Sequence, residues 1–282
     1  MSIEDEIKAS KDYLLTFVRE DIKIPILTID NVARVEAMIQ VDSRYSNNRD
    51  EYNGETSSNF FHKLKEILKD KEELKDNENT LETCIYQIVR TIDKENSTHL
   101  NSNIRAEDAK GDNIKKTGRY LIADKILQFN KKRFLEHLTN PDKALKEDGL
   151  FRIIEISGGR KNTSFASKFC HYACFNLFDD KNKDNYSIYD AVIRMALPIY
   201  IKWHKVTVEN INYKNEYRKI RNALCRIDYK LYQTIVDTVL KASESDISRN
   251  GFDHLLWYYF KGKNEQEIEE IYNSIDTMNN SK

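Results

Sequence analysis

The sequence predicts an all-α fold, and three features of its composition and patterning indicate this. Its 282 residues include only 8 glycines and 3 prolines, which are too few for the turns of a β-rich protein or the loops of an α/β protein. Apolar residues recur at helical spacing along most of the chain. With 40% hydrophobic and 32% charged residues, the chain can bury a core, so the composition excludes a disordered protein.

Helical periodicity places the predicted elements in order along the chain. The first helix rests on the spacing of Ile7, Leu14 and Phe17, Pro25 stops it, and Asp30 is expected to cap the second. The predicted helices cover residues 3–18, 32–41, 60–74, 81–92, 114–138, 145–156, 163–178, 191–203, 217–226, 229–242, 252–261 and 265–275. Polar stretches at 43–58 and 96–113 predict loops, and residues 186–189 predict a short extended segment.

Charge is distributed unevenly along the chain. Residues 1–113 hold 16 Lys and Arg against 24 Asp and Glu, residues 114–226 hold 23 against 12, and residues 227–282 hold 6 against 10. We therefore expect a boundary at 113, with an N-terminal helical region (residues 1–113) and a second domain (residues 114–282). The basic segment 114–226 predicts DNA as a partner, and the acidic N-terminal region is a candidate surface for a protein partner. The alternative is that lysines such as Lys131 only solvate helix faces.

Other classes of protein are disfavoured by the sequence. No apolar run approaches the roughly 18 residues that a membrane span needs, and the first ten residues are acidic, so we expect a cytoplasmic protein without membrane contact. The four cysteines form no CxxC pair, so neither a disulfide framework nor a zinc ribbon is predicted. Cys170, His171 and Cys174 share a helix face, but buried thiols explain them better than a metal site, and no cofactor is expected.

One segment carries a recognisable pattern. Gly158 and Gly159 form a turn between two predicted helices, Lys168 lies early in the second helix, and Asp190 opens the next. This arrangement resembles the helix-hairpin-helix DNA glycosylases of the 8-oxoguanine glycosylase fold. The stretches SFASKFCHYACF and YSIYDAVIRMAL look like bacterial proteins of that fold, some of which serve as antiviral DNA glycosylases. The resemblance covers roughly residues 154–262 and does not extend to residues 1–113.

The resemblance implies a role for each matching residue. Asp190 matches the catalytic aspartate, and Lys168 matches the catalytic lysine. The turn of Gly158 and Gly159 matches the hairpin that holds a DNA phosphate, with Arg160 and Lys161 adding charge beside it. Base-pocket residues are expected to be His171, His254 and Trp257, the last two on a C-terminal helix. The adjacent glycines depart from the usual proline and spaced glycines of the hairpin.

The chemistry explains why these residue types are wanted. When an N-glycosidic bond breaks, positive charge develops on the sugar, and a fixed carboxylate stabilises it or activates a nucleophile. A lysine in its neutral amine form can attack the same carbon and form a Schiff base. The target nucleotide has to be flipped out of the duplex into a pocket. Eleven residues separate the end of the Lys168 helix from Asp190 and can span up to about 36 Å, so the two can meet.

Each assignment has a simpler alternative. Lys168 could extend to solvent from an apolar helix, and Asp190 would be a good N-cap without any chemistry. The aromatic residues near Trp257 could simply pack in the core. Two other functions therefore stay open: a non-catalytic nucleic-acid-binding subunit of a bacterial defence complex that keeps the glycosylase fold, and a structural interaction protein that uses its acidic N-terminal helices.

Overall fold

The computed structural model describes residues 17–19, 22–41, 56–70, 79–95, 98, 100, 103–107, 113–158 and 161–279. Within these residues the protein is mostly helical, which confirms the predicted all-α class. The strands described form three short antiparallel pairs. The chain divides into two compact units, which are described separately: unit 1 contains residues 1–47 and 187–282, and unit 2 contains residues 48–186.

The central helix of unit 2 is formed by Thr163–Leu177. The elements of this unit in order are α2 (Ser57–Asp70), α3 (Asn79–Glu95), β3 (Asn103–Glu107), β4 (Asn113–Thr117), α4 (Gly118–Ile126), α5 (Lys131–Thr139), α6 (Pro141–Ala144), α7 (Leu150–Ser157), α8 (Thr163–Leu177) and a 3-10 turn (Lys181–Asp184). Helix α8 contacts α2, α3, α5 and α7. Phe165 and Phe169 are completely buried on α8, and the ring of Phe169 meets that of Phe61 edge-on at 5.9 Å. This aromatic contact anchors α8 in the unit.

Unit 1 joins two distant segments of the chain. Its elements are β1 (Phe17–Arg19), β2 (Ile22–Lys23), α1 (Ile29–Val41), α9 (Ala191–Trp203), β5 (Thr207–Val208), β6 (Ile211–Asn212), α10 (Tyr217–Leu224), α11 (Tyr229–Ala242), α12 (Arg249–Phe260) and α13 (Glu265–Asn279). Helix α9 contacts α10, α11, α12 and α13, and α12 also packs against α1. The Tyr200 hydroxyl on α9 donates to the carbonyl of Pro25 at 2.9 Å, so the N-terminal segment belongs to the core of this unit.

Several elements differ from the sequence prediction. The helix expected over 114–138 is divided into β4, α4 and α5, and the loop expected over 96–113 contains strand β3 and the start of β4. Residues 17–19 form a strand where the end of a helix was expected, and residues 1–16 lie outside the described residues. The boundary expected at residue 113 falls within unit 2, at the start of β4, which pairs with β3.

Candidate functional site

The turn between α7 and α8 is organised by Asn162 and Glu155. Asn162 is the N-cap of α8: its side-chain oxygen accepts the backbone N–H of Phe165 at 2.9 Å, and its amide donates to the carbonyl of Thr98 at 3.0 Å. The backbone N–H of Asn162 donates to the carbonyl of Glu155 at 2.7 Å. Asparagine suits this position because its side-chain oxygen reaches the free N–H groups of the first helical turn.

Glu155 is a buried carboxylate, 4% exposed, that contacts several polar groups of the turn. It accepts the hydroxyl of Thr163 at 2.5 Å, pairs with Arg152 and has the ammonium of Lys161 at 3.6 Å. A buried carboxylate is tolerated where such partners compensate its desolvation. The turn is therefore held by a polar network.

The residues expected to bind DNA phosphate are placed as follows. Gly158 is buried at the end of α7, where an added Cβ would lie 3.1 Å from a methyl group of Leu100 and 3.3 Å from one of Ile122. Close packing thus explains a glycine at this position. Lys161 is exposed beside Glu155, whereas Gly159 and Arg160 lie outside the described residues.

Lys168 lies in the second turn of α8 and is only 4% exposed. Lysine is rarely buried to this extent, because removing its ammonium group from water is costly. Its side chain therefore does not extend freely to solvent, as the simpler alternative required. Lys168 belongs to unit 2, whereas Asp190 belongs to unit 1.

The polar residues that follow Lys168 on α8 are buried as well. The ring of His171 is 1% exposed, and its Nδ1 lies 2.8 Å from the carbonyl of Tyr186, so an Nδ1–H tautomer would donate to it. Burial raises the pKa of the Cys170 and Cys174 thiols well above the ordinary value, and the Cys174 thiol donates to the carbonyl of Leu138 at 3.3 Å. Both thiols are therefore in their protonated form in this environment.

Asp190 is half-buried and is the N-cap of α9, as the sequence predicted. Its Oδ1 accepts the backbone N–H of Val192 at 2.8 Å. Arg194, one turn later, donates from Nε to the Asp190 carbonyl at 3.3 Å, and its guanidinium lies 4.3 Å above the ring of Tyr189. The carboxylate thus lies at the positive end of a helix dipole.

Two of the three residues before Asp190 are held by hydrogen bonds to their peptide groups. The carbonyl of Ser187 accepts the hydroxyl of Tyr229 at 2.6 Å, and the carbonyl of Ile188 accepts that of Tyr232 at 2.8 Å. The N–H of Ile188 donates at 2.7 Å to Oδ2 of Asp253, a carboxylate that is 1% exposed. Burial, with the charge of Asp253, raises the pKa of Tyr232 well above the ordinary value, so its hydroxyl stays protonated as a donor. Helices α11 and α12 therefore fix the backbone that carries Asp190.

The two C-terminal residues expected in a base pocket lie in the same unit as Asp190. His254 is half-buried on α12, with Nδ1 3.7 Å from Oε1 of Glu36 on α1. Trp257 is half-buried one turn later, with the ammonium of Lys261 3.8 Å from the centre of its ring. The neighbouring Asp253, which sequence reasoning missed, accepts the N–H of Ile188 in the segment before Asp190.

Charge is balanced within each unit, although it is biased along the chain. Unit 2 contains 25 Lys and Arg against 24 Asp and Glu, and unit 1 contains 20 against 22. Several cations of the basic segment are paired, including Arg133 with Asp148 and Lys143 with Glu136. The basic segment 114–226 is divided between the units at 186/187, so its positive charge does not belong to one unit alone.

No group of three or more His, Cys, Asp or Glu side chains among the described residues is arranged to hold a metal ion. None of the described helices combines the length and apolar character that crossing a bilayer demands.

Comparison with protein-family models, curated proteins and solved structures finds no match to this chain. The resemblance to helix-hairpin-helix glycosylases thus rests on the sequence pattern of residues 154–262.

Proposed function

We propose that the protein is a DNA glycosylase that removes a damaged or modified base by cleaving its N-glycosidic bond. The observation that carries the proposal is the fixed carboxylate of Asp190. It caps α9, and the residues before it are bound by Tyr229, Tyr232 and Asp253. A carboxylate fixed in this way can stabilise positive charge without reorganising during the reaction.

In this mechanism Asp190 acts on the sugar of a flipped nucleotide. As the bond between C1′ and the base breaks, the electron pair leaves with the base and positive charge develops on C1′ and the ring oxygen. The carboxylate of Asp190 stabilises this charge or removes a proton from an attacking water. Its partial exposure suits this role.

Lys168 is proposed as the nucleophile of a second route. Its neutral amine attacks C1′, the base leaves with the bonding electrons, and opening of the sugar ring with loss of a proton from nitrogen gives a Schiff base. Because Lys168 is 4% exposed, this route requires a movement that brings its amine to the substrate. The water route needs only Asp190.

The biological role proposed is defence against phages whose DNA contains modified bases. It rests on the resemblance of SFASKFCHYACF and YSIYDAVIRMAL to antiviral glycosylases.

Base release and borohydride trapping on duplex DNA test the proposal. The substrates carry 8-oxoguanine or a phage-type modified pyrimidine. We expect Asp190→Asn to lower base release by about 100-fold or more, because asparagine keeps a capping oxygen but lacks the charge. The matched control is Asp228→Asn, since Asp228 caps α11 through the N–H of Leu231 at the same 2.8 Å.

The lysine route has its own control. Lys168→Met keeps the side-chain length and is expected to abolish the trapped complex. Lys202→Met changes another buried lysine, 6% exposed, whose ammonium lies 4.1 Å from the ring centre of Tyr272, and should leave trapping intact. Base release without trapping that depends on Asp190 would support the water route. Salt-sensitive binding without release on any substrate would overturn the enzyme proposal and favour a non-catalytic DNA-binding subunit.

A further inference from the structure

A cavity of about 460 Å³ lies between α3 and α4 in unit 2. Each helix contributes one carboxylate and one tyrosine four residues apart, a spacing that places both on one helix face. On α3 these are Glu82 and Tyr86, and on α4 they are Tyr120 and Asp124. Ala123 and Leu127 add apolar surface to the lining.

On each helix the carboxylate of the cavity lies farther from one shared ion pair than the tyrosine does. Asp93, near the end of α3, pairs with Arg119, at the start of α4, at 2.6 Å. The helices therefore run in opposite directions from this ion pair. Glu82 lies one turn beyond Tyr86, and Asp124 lies one turn beyond Tyr120, in each case away from Arg119.

The tyrosines supply aromatic faces next to these carboxylates. The rings of Tyr86 and Tyr120 have centroids 6.3 Å apart at an interplanar angle of 59°, and Tyr120 is 41% exposed. Glu82 and Asp124 are exposed, and among the residues that the structure describes neither forms an ion pair. The lining described contains no lysine or arginine, so the negative charge of the cavity is not compensated there.

We propose that this cavity binds a small organic cation with an ammonium group on a short apolar body. Tyrosine rings attract cations through their faces, and the two carboxylates add Coulombic attraction. Ala123 and Leu127 suit the apolar body of such a ligand. The volume falls within the usual range of small-molecule sites, which favours a free small cation over a protein segment. The described lining of this cavity includes neither Lys168 nor Asp190.

Calorimetric titration of the full chain with choline tests the site. Its uncharged isostere, 3,3-dimethylbutan-1-ol, has the same shape without the charge. We expect saturable binding of choline and none of the alcohol. Glu82→Gln with Asp124→Asn should weaken binding by about tenfold, at about 0.7 kcal/mol for each exposed charge pair.

Two matched controls accompany these variants. Glu66→Gln with Glu147→Gln removes two exposed carboxylates of unit 2 outside the cavity and should leave the affinity within about twofold if attraction is local. Tyr120→Leu should weaken binding about three- to fivefold, whereas Tyr120→Phe should retain it, because phenylalanine keeps the ring face.

Three results would overturn the proposal: no saturable heat with choline, equal binding of the alcohol, or equal losses in the two double variants. Binding of a tetra-arginine peptide but not of choline would also overturn it, since the groove would then be a protein-docking surface.

Discussion

His137 shows how one buried side chain couples an element to pH. It is 6% exposed, and its Nδ1 accepts the backbone N–H of Leu150, the first residue of α7, at 3.0 Å. Only a ring without a proton on Nδ1 can accept this bond. Burial, followed by the charge of Arg133, lowers the pKa of His137 below its ordinary value of 6.5. The folded protein therefore favours the neutral ring.

This pKa shift predicts a loss of stability as the pH falls. Below about pH 6.5 the unfolded chain binds a proton at residue 137 that the folded chain does not bind. The free energy of unfolding should therefore decrease from pH 7.5 to 5.5, and decrease less in His137→Asn, which keeps an oxygen acceptor. Burial also lowers the pKa of His204, but this residue is common to both proteins, so its contribution cancels in the difference. Urea unfolding of the wild type and of His137→Asn, followed by circular dichroism at each pH, measures the difference. Parallel pH profiles of the free energy of unfolding would contradict the prediction.

Sequence reasoning at the residue scale recovered Asp190 as an N-cap because a cap depends on local geometry. It missed Glu155, Asn162 and Asp253. Glu155 and Asn162 organise a turn together, and Asp253 meets Ile188 across 65 positions of sequence. A buried carboxylate in an apolar helix, as in FDHLLWYYF, was the available signal for Asp253.

At the scale of elements, the start of α8 depends on Asn162. We expect Asn162→Ala to reduce the free energy of unfolding of unit 2 by about 2 kcal/mol, because both the cap and the bond to Thr98 are lost. Asn130→Ala removes from α5 a cap with one bond, to the N–H of Arg133, and should cost about 1 kcal/mol. Asn162→Asp keeps the capping oxygen and should fall between Asn162→Ala and the wild type.

The tryptophans help to assign the transition. The protein has two, Trp203 and Trp257, and both lie in unit 1. A change in the unfolding transition that appears in far-UV circular dichroism but not in tryptophan fluorescence therefore belongs to unit 2. Equal losses of unfolding free energy in Asn162→Ala and Asn130→Ala would show that the bond to Thr98 adds no stability.

Most helices could be predicted from apolar spacing, and α11 was predicted with its observed bounds. The continuous helix over 114–138 was wrong because its divisions depend on distant contacts. A Cβ on Gly118 would lie 2.7 Å from the carbonyl oxygen of Leu100, so the chain approaches another backbone there. Strands β3 (NIRAE) and β4 (NIKKT) are rich in charged residues and lack the apolar alternation that marks a strand.

At the scale of the whole molecule, the charge bias along the sequence does not coincide with the structural units. The acidic and basic halves of residues 48–186 lie in one unit with nearly balanced charge. Charge runs thus suggested a boundary at 113, whereas contacts between distant segments define the units. The candidate residues nevertheless belong to central elements, since Lys168 lies on α8 and Asp190 caps α9.

The discontinuity of unit 1 predicts how fragments fold. Residues 48–186 form one continuous unit, so this fragment should show a cooperative thermal transition by circular dichroism. Residues 187–282 alone lack Ile24, Leu27 and Val35, which are at most 2% exposed in the intact chain. They also lack the bond between Tyr200 and Pro25. Without this apolar surface the fragment should not unfold cooperatively.

Joining residues 1–47 to 187–282 through a Gly/Ser linker of about 15 residues should restore a tryptophan-detected transition. A cooperative transition of 187–282 alone would show that the N-terminal segment is dispensable to unit 1, and its absence in 48–186 would show that unit 2 depends on the rest of the chain.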